Sequence, residues 1–581
     1  MRRGTVFFLW CLVLLSGCAR HEAPVRVLSV DLLTSGEALA KPVHASEYAP
    51  AGAVSAASNS FSGRLQIGPM EKADHFLLLF DELGLISPDA PGHDSLPAFD
   101  FEFVQDGDLL IPMTAGPVIN DHPWWEFVFG TGRAWDESGD DGWTRAALPF
   151  ALKERREDCI HNGLMTFLFR DSGAVSRVAF QVTNQTCRYL QFDMSGLLDA
   201  NYVPGKVEGA VEVVAAVRAN RNSRIPTRPI AEIADDHEGA RAGEFGSHEE
   251  IEPSTMSAYG FLIDGTHFVS DCNTPYGPYP FCDDMALPSY STAKSIVAGF
   301  SLMLLEAKYP GAASVPIEDL VPECGDGWND VTIERALDMT TGHFDLPDMH
   351  GDEDAAILSP FFLGDHKEKI DMACKRFPRR AEPGTHLSYH TWDIYLAGVA
   401  MTQFLRDRRS ADADFYDDLV VRELWRPLGL LRLAESTRRT YDEIRQPYAG
   451  FGLTLFRDDV AKLAQFIGPL DGRLDGQDVL DRRLFDAIKQ RNPEDPGMVA
   501  ELETIRYNNG FRSFDVSSYI GCDAPVWVVV LSGFGGIIVA VMPNDTAYYY
   551  FSDGNVHRYL AAVRESHRIR PMCPDRVVED P

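Results

Sequence analysis

Positive charge is scarce in this sequence: 53 Lys and Arg stand against 86 Asp and Glu, a formal net charge of −33 over 581 residues. That balance argues against a nucleic-acid binder, whose phosphate contacts need a basic face. Long apolar runs are scarce too. The run Val6 to Leu15 has ten residues, which as a helix span ~15 Å, about half of a ~30 Å hydrocarbon core. A polytopic membrane protein is thereby excluded. Gly (47) and Pro (36) together make about 14% of the chain, close to the ordinary background, so collagen-like and disordered chains are excluded as well. No Cys-x-x-Cys pair suggests a zinc or redox site, no solenoid or propeller period recurs, and no heptad run is present. What remains, with 45% hydrophobic residues, is a globular protein. At about 150 residues per domain its length allows three or four small domains, or two large ones.

The N-terminus sets the compartment. Arg2 and Arg3 precede the apolar run, and Leu15-Ser16-Gly17-Cys18 follows it. A charged start, a short apolar core and small residues predict a secretory signal peptide over 1–17. Leu-Ser-Gly-Cys resembles the lipobox of bacterial lipoproteins, which implies that Cys18 is lipidated and becomes the first residue. Several acyl chains hold a protein firmly where one is marginal. Ala19, in place of an Asp, implies the periplasmic face of the outer membrane. An ordinary signal peptide cut nearby is the plainer alternative. With Cys11 discarded and Cys18 lipidated, eight cysteines remain. An even number in an oxidising compartment predicts disulfides. Nearest-neighbour pairing joins Cys159 to Cys187, Cys272 to Cys282, Cys324 to Cys374 and Cys522 to Cys573.

Residues 18–60 are rich in Ala, Ser and Pro, with Ala49-Pro50-Ala51-Gly52-Ala53 the plainest stretch, and read as a lipidated tether. Over 61–204 short β-like runs alternate with turn residues: His75 to Phe80, Phe99 to Val104, Leu164 to Phe169 and Val175 to Val182. Phe99, Phe101 and Phe103 alternate with Asp100 and Glu102, the period of a half-buried strand. Asp106-Gly107 and Asp171-Ser172-Gly173 read as hairpin turns. A β-sandwich-like domain follows. Trp124, Trp125, Trp135 and Trp143 could stack on sugar rings but more often serve as core. Residues 205–255 place Arg218, Arg221, Arg224 and Arg228 before an acidic stretch from Asp235 to Glu252, the pattern of a solvated linker rather than a polyanion site.

The chemistry concentrates at Ser289-Tyr290-Ser291-Thr292-Ala293-Lys294-Ser295, followed by the apolar run Ile296 to Leu305. Pro288 and that run predict a helix start leading into a buried helix. Ser291 and Lys294, three apart, share a helix face. The serine sits where helix N–H groups favour developing negative charge, and the lysine can take its proton. This is a Ser-Lys variant of the serine–histidine nucleophile. Alone, Ser-x-x-Lys is also what a capping serine and a surface lysine look like.

Order along the chain adds specificity. Val331-Thr332-Ile333 and Leu337-Asp338-Met339-Thr340-Thr341-Gly342 come next. Then Pro383-Gly384-Thr385-His386-Leu387-Ser388-Tyr389-His390-Thr391 leads into an apolar helix from Ile394 to Met401. Leu531-Ser532-Gly533-Phe534-Gly535-Gly536 lies between β runs at 526–531 and 537–542. Residues 256–574 thus resemble the serine beta-lactamase and penicillin-binding superfamily, in particular its class C beta-lactamase-related branch of D-aminopeptidases, DD-carboxypeptidases, carboxylesterases and amide-oligomer hydrolases. The resemblance implies an α+β fold: an antiparallel sheet flanked by helices, plus a helical subdomain holding Tyr389, here after the β-sandwich-like domain and before a tail at 575–581. It implies Ser291 as the acylated nucleophile, Lys294 as proton acceptor, and Tyr389 as the tyrosine that shuttles protons to the leaving group. The oxyanion hole would use the N–H of Ser291 and one near Phe534 or Gly535. Two positions depart from the family. Thr391 replaces an Asn, and Leu531-Ser532-Gly533 replaces Lys-Thr-Gly or His-x-Gly, leaving no cation for a substrate carboxylate.

His386 and His390 lack the glutamate of a His-Glu-x-x-His metal site and read as wall or structural residues. Asp348, Asp352, Glu353 and Asp354 surround His350 without the spacing of a calcium loop. Asp393 reads as a helix-start residue. The expectation is a periplasmic serine hydrolase without cofactor or metal. Its substrate would be a small-molecule or peptide ester or amide, and membrane attachment would run through Cys18. One alternative is a non-catalytic binding or sensor lipoprotein that keeps the fold. Another is a beta-lactamase or DD-carboxypeptidase proper.

Overall fold

A computed structural model describes residues 26–51, 54–68, 76–81, 83–84 and 95–574. The signal segment, Cys18, His75 and the tail at 575–581 lie outside the described residues. The chain is α+β, with two large sheets.

The first sheet has twelve antiparallel strands. Its sequence logic is phenylalanine alternation. Along Phe99–Asp106 the three Phe are buried and Asp100 and Glu102 exposed. The chain then turns at Asp106-Gly107, where Gly107 has φ +63°, and pairs back through Leu109–Pro112. The second expected hairpin joins Ile160–Phe169 to Val178–Thr186. Its second strand starts at Val178: before it the Ser176 N–H still bonds the Leu168 carbonyl of the partner strand, but the Arg177 N–H turns to the Leu33 carbonyl. The sheet curls until its halves face each other. Phe61 therefore meets Phe103, Phe167, Phe169 and Tyr202 at centroid distances of 4.1–6.2 Å. Each buried Phe contributes about 2–3 kcal/mol, and such ring pairs add about 1 kcal/mol. Trp124, Trp125 and Trp135 are core residues.

Two segments read as connectors are more than that. From Arg26 on, the expected tether packs down: Leu28, Leu33 and Tyr48 are fully buried. Arg26 pairs with Glu137, and the Gln181 amide bonds both backbone groups of Val43. The segment 205–255 forms the helix Ala210–Asn222. It also adds the strand Thr227–Pro229, parallel to Thr266–Val269, to the edge of the second sheet. Its arginines are held by acids: Arg218 by Asp106, Arg224 by Asp283 and Asp284, Arg228 by Glu232, Asp235 and Asp236.

Beyond that parallel edge, the nine-stranded second sheet is antiparallel. Thr266–Val269 is followed by Met256–Ile263, Ala547–Ser552, Ile537–Val541, Trp527–Gly533, Phe511–Asp515, Ile505–Asn508 and Met498–Val499. Its strands are apolar on both sides because helices cover both faces. Val528 and Val530 pack toward Ala562 and Val563 of the helix Leu560–Ile569. Val529 and Leu531 join the core that holds the helices Phe300–Lys308 and Thr391–Arg406. Between the sheets the Asn162 amide bonds both backbone groups of Ala286. All four nearest-neighbour disulfides are formed. Among the described residues no helix is long and apolar enough to cross a membrane.

Candidate active site

The chain reaches the site from the short strand Leu287–Pro288. Tyr290 then takes φ +39°, a left-handed conformation costly for a bulky residue, and turns the chain into Ser291. The helix begins at once, with the Lys294 N–H on the Ser291 carbonyl at 3.0 Å. Its first turns, Lys294–Gly299, are a π-helix before the α-helix Phe300–Lys308, where the sequence predicted regular helix. Such wide turns recur at functional sites. Here the cause is packing from the turn Asn509-Gly510. A Cβ on Gly299 would meet the Asn509 carbonyl oxygen at 2.5 Å, and one on Gly510 (φ +83°) the Lys294 carbonyl oxygen at 2.3 Å.

Ser291, Lys294, Tyr389 and Thr391 come together. Lys294, 1% exposed, places its Nζ 2.9 Å from Ser291 Oγ and 3.1 Å from Thr391 Oγ1. The same Nζ lies 4.7 Å from the Tyr389 ring centroid. Thr391 thus acts as a partner of the lysine. Its own N–H donates to Glu353 at 2.5 Å, so the acidic loop at 348–354 serves a backbone group here. The Tyr389 N–H donates to the Met349 carbonyl at 2.7 Å.

Behind Tyr389 lies His390, fully buried. Its Nε2 is 3.1 Å from Asp352 and its Nδ1 3.5 Å from Asp393. Burial alone would lower its pKa, but Asp393 and Asp352 outweigh that and raise it to about 9. His390 is therefore an imidazolium at neutral pH, clamping the start of the helix Thr391–Arg406 to the loop at 343–354. Asp393, expected only at a helix start, also accepts from the Thr341 hydroxyl at 3.2 Å. His386 stacks on Phe344 with centroids 4.2 Å apart, away from this clamp.

The opposite side is the strand Trp527–Gly533. Gly533 is pressed against the nucleophile loop: a Cβ there would sit 3.1 Å from the Ser289 carbonyl oxygen and 3.3 Å from Tyr290 Cβ. Ser532 pairs with Ile538 in the sheet. Phe534 is 47% exposed, its ring 5.8 Å from Tyr290 and 6.2 Å from Tyr189, which precedes the first-sheet strand Phe192–Leu198. Gly535 adopts φ +84° and its carbonyl accepts from the Asn555 N–H at 2.8 Å. Leu531 is buried, so this strand offers no charge.

A cation does stand one strand over, where sequence reasoning missed it. Arg512, register partner of Val530, places its guanidinium 5.3 Å from the Tyr389 ring and 5.5 Å from Tyr507. Glu501 holds it at 2.6 Å and also lies 3.3 Å from His350 Nε2. Burial disfavours the Arg512 charge, but Glu501 more than compensates and its pKa rises. Glu501 is correspondingly driven well below the usual carboxylate range, His350 and Arg512 outweighing burial. Its only sequence signal was a charge in a strand facing a buried aromatic.

A metal ion needs several ligating side chains close together. Among the described residues the cysteine–histidine–cysteine group Cys522, His567 and Cys573 is close enough to bind one, but its cysteines form a disulfide.

No family model matches the chain, and no curated protein matches it. Similar solved structures include a protein assigned as a 6-aminohexanoate-dimer hydrolase from Bacillus anthracis. It is 16% identical, with a TM-score of 0.42, over 60% of this chain and 84% of that one. A class C beta-lactamase is 13% identical, TM-score 0.39, over 58% and 97%. A beta-lactamase/D-alanine carboxypeptidase from Pseudomonas syringae is 13% identical, TM-score 0.37, over 61% and 98%. At these identities and scores the likenesses carry no functional weight.

Proposed function

We propose that the chain is a serine hydrolase that forms an acyl-enzyme on Ser291. The observation that supports this most is the 2.9 Å contact between the buried Lys294 Nζ and Ser291 Oγ, because a serine becomes a nucleophile when an adjacent base, here the neutral amine, takes its proton. In this reading Lys294 receives the proton as Oγ attacks the carbonyl, while Thr391 holds the ammonium in place. Tyr389 passes a proton to the leaving group. N–H groups of Ser291 and the Phe534–Gly535 segment stabilise the oxyanion. Water then releases the acyl group.

The substrate we propose is an ester or amide without a carboxylate beside the scissile bond. Leu531 is apolar, and the nearby guanidinium of Arg512 is neutralised by Glu501. The setting we propose is the periplasmic face of the outer membrane, with attachment through a lipidated Cys18. A panel of p-nitrophenyl esters, D-amino-acid amides and a chromogenic cephalosporin tests the substrate class. Preference for the cephalosporin would overturn it, and the absence of any turnover would favour a non-catalytic binder.

A further inference from the structure

Lys153 and Asp158 of the first domain form an ion pair at 3.0 Å, each side chain 1% exposed. Both reach across to the hydrolase domain. Lys153 Nζ donates to the Gly452 carbonyl at 3.0 Å and to Thr454 Oγ1 at 2.9 Å. Asp158 Oδ2 accepts from the Tyr290 N–H at 2.8 Å, the Gly452 N–H at 3.2 Å and Ser289 Oγ at 3.3 Å. A buried carboxylate with this many partners is held rigidly. Its strongest neutral partner, Tyr290, is the strained residue directly before the nucleophile.

The same corner is locked a second time. Cys159, next to Asp158, is bonded to Cys187. Two residues further on, Tyr189 lies 6.2 Å from Phe534, and its hydroxyl is fixed by Glu154 at 2.7 Å. Non-glycine residues keep a left-handed conformation only where surrounding structure over-determines it. Here that structure belongs to the other domain.

We propose that Asp158 is a positioning residue for the nucleophile: by holding the Tyr290 amide it fixes the direction of Ser291 Oγ toward Lys294. The first domain is then a working part of the active site, not an appended module. This rests on the acyl-enzyme reading of Ser291. No bond is made or broken at Asp158.

The test uses the full chain with Asp158→Ala and Asp158→Asn. Asn162→Ala is the comparator, because it removes a different buried inter-domain contact, the two hydrogen bonds to Ala286. One readout is the rate constant for acylation of Ser291 by a p-nitrophenyl ester, read from the release of nitrophenolate. The other, in a Ser291→Ala background and therefore independent of catalysis, is amide hydrogen exchange at Tyr290. Asp158→Ala should slow acylation about 100-fold with reagent binding unchanged, as misaimed reacting groups do, Asp158→Asn about tenfold because its oxygen still accepts, and Asn162→Ala by less than about threefold. Tyr290 exchange should accelerate in the Asp158 variants only. If Asp158→Ala does not fold, Asp158→Asn carries both readouts. Wild-type acylation in a folded Asp158 variant, or an equal loss in Asn162→Ala, overturns the proposal. If wild type forms no adduct, the chemistry fails separately and exchange decides: unchanged Tyr290 exchange overturns the Asp158 device, and faster exchange supports it.

Discussion

The two sides of Ser291 are built on different principles. On the helical side polar side chains meet one another: Lys294 with Ser291 and Thr391, and His390 with Asp352 and Asp393, while the Tyr389 N–H is held by the Met349 carbonyl. On the sheet side stand Leu531, Gly533 and the exposed ring of Phe534, backed by Tyr189 of the other domain. The first side can move protons. The second offers shape and backbone. In the proposed reading the difference teaches that reaction chemistry and substrate recognition are separable, the one assigned to polar side chains and the other to an apolar strand.

The sharpest way to break that division is to remove the proton acceptor. Lys294→Ala should lower esterase kcat by about 10³-fold or more, within the range of general acid–base catalysis, with KM little changed. Tyr389→Phe should follow at about 100-fold, with a larger deficit on amides than on activated esters, because a poor leaving group depends more on a donated proton. A loss confined to KM in either variant would move these residues from chemistry to binding.

Arg512 lies between the two sides. Replacing it with Gln leaves Glu501 without its main partner and the Tyr389 ring without its cation, so a loss of about tenfold in kcat is expected. Restoration by Arg512→Lys would show that charge suffices. A smaller effect belongs to His390. Its folded-state pKa of about 9 lies above the ordinary value of about 6.5, so its stabilisation is complete below about pH 6.5 and disappears as pH rises through about 9. The thermal midpoint of wild type should therefore fall between about pH 6.5 and 9 relative to that of His390→Asn, whose profile lacks this component. Parallel profiles would remove His390 from the account.

The legible part of the site was the part encoded locally. Ser291 and Lys294 are one helical turn apart, so spacing put them on one face, while Tyr389 and Thr391 were placed by the order of motifs that carries the family resemblance. Alternating Phe99, Phe101 and Phe103 likewise disclosed their strand. Arg512 and Asp158 were not legible. Each lies far in sequence from the group it serves and follows no periodic pattern, since tertiary placement alone brings it there. The strand Thr227–Pro229 was hidden by its short length and its charged neighbours. The π-turn at Lys294 was hidden because its cause, the Asn509-Gly510 turn, comes some two hundred residues later.

The most direct measurement is the mass-spectrometric location of a fluorophosphonate adduct on the purified full chain, with wild type beside Ser291→Ala. A single adduct on the peptide containing Ser291, absent from the variant, is the result expected of a Ser291–Lys294 nucleophile. No adduct on folded wild type, or equal labelling of Ser291→Ala, would contradict it.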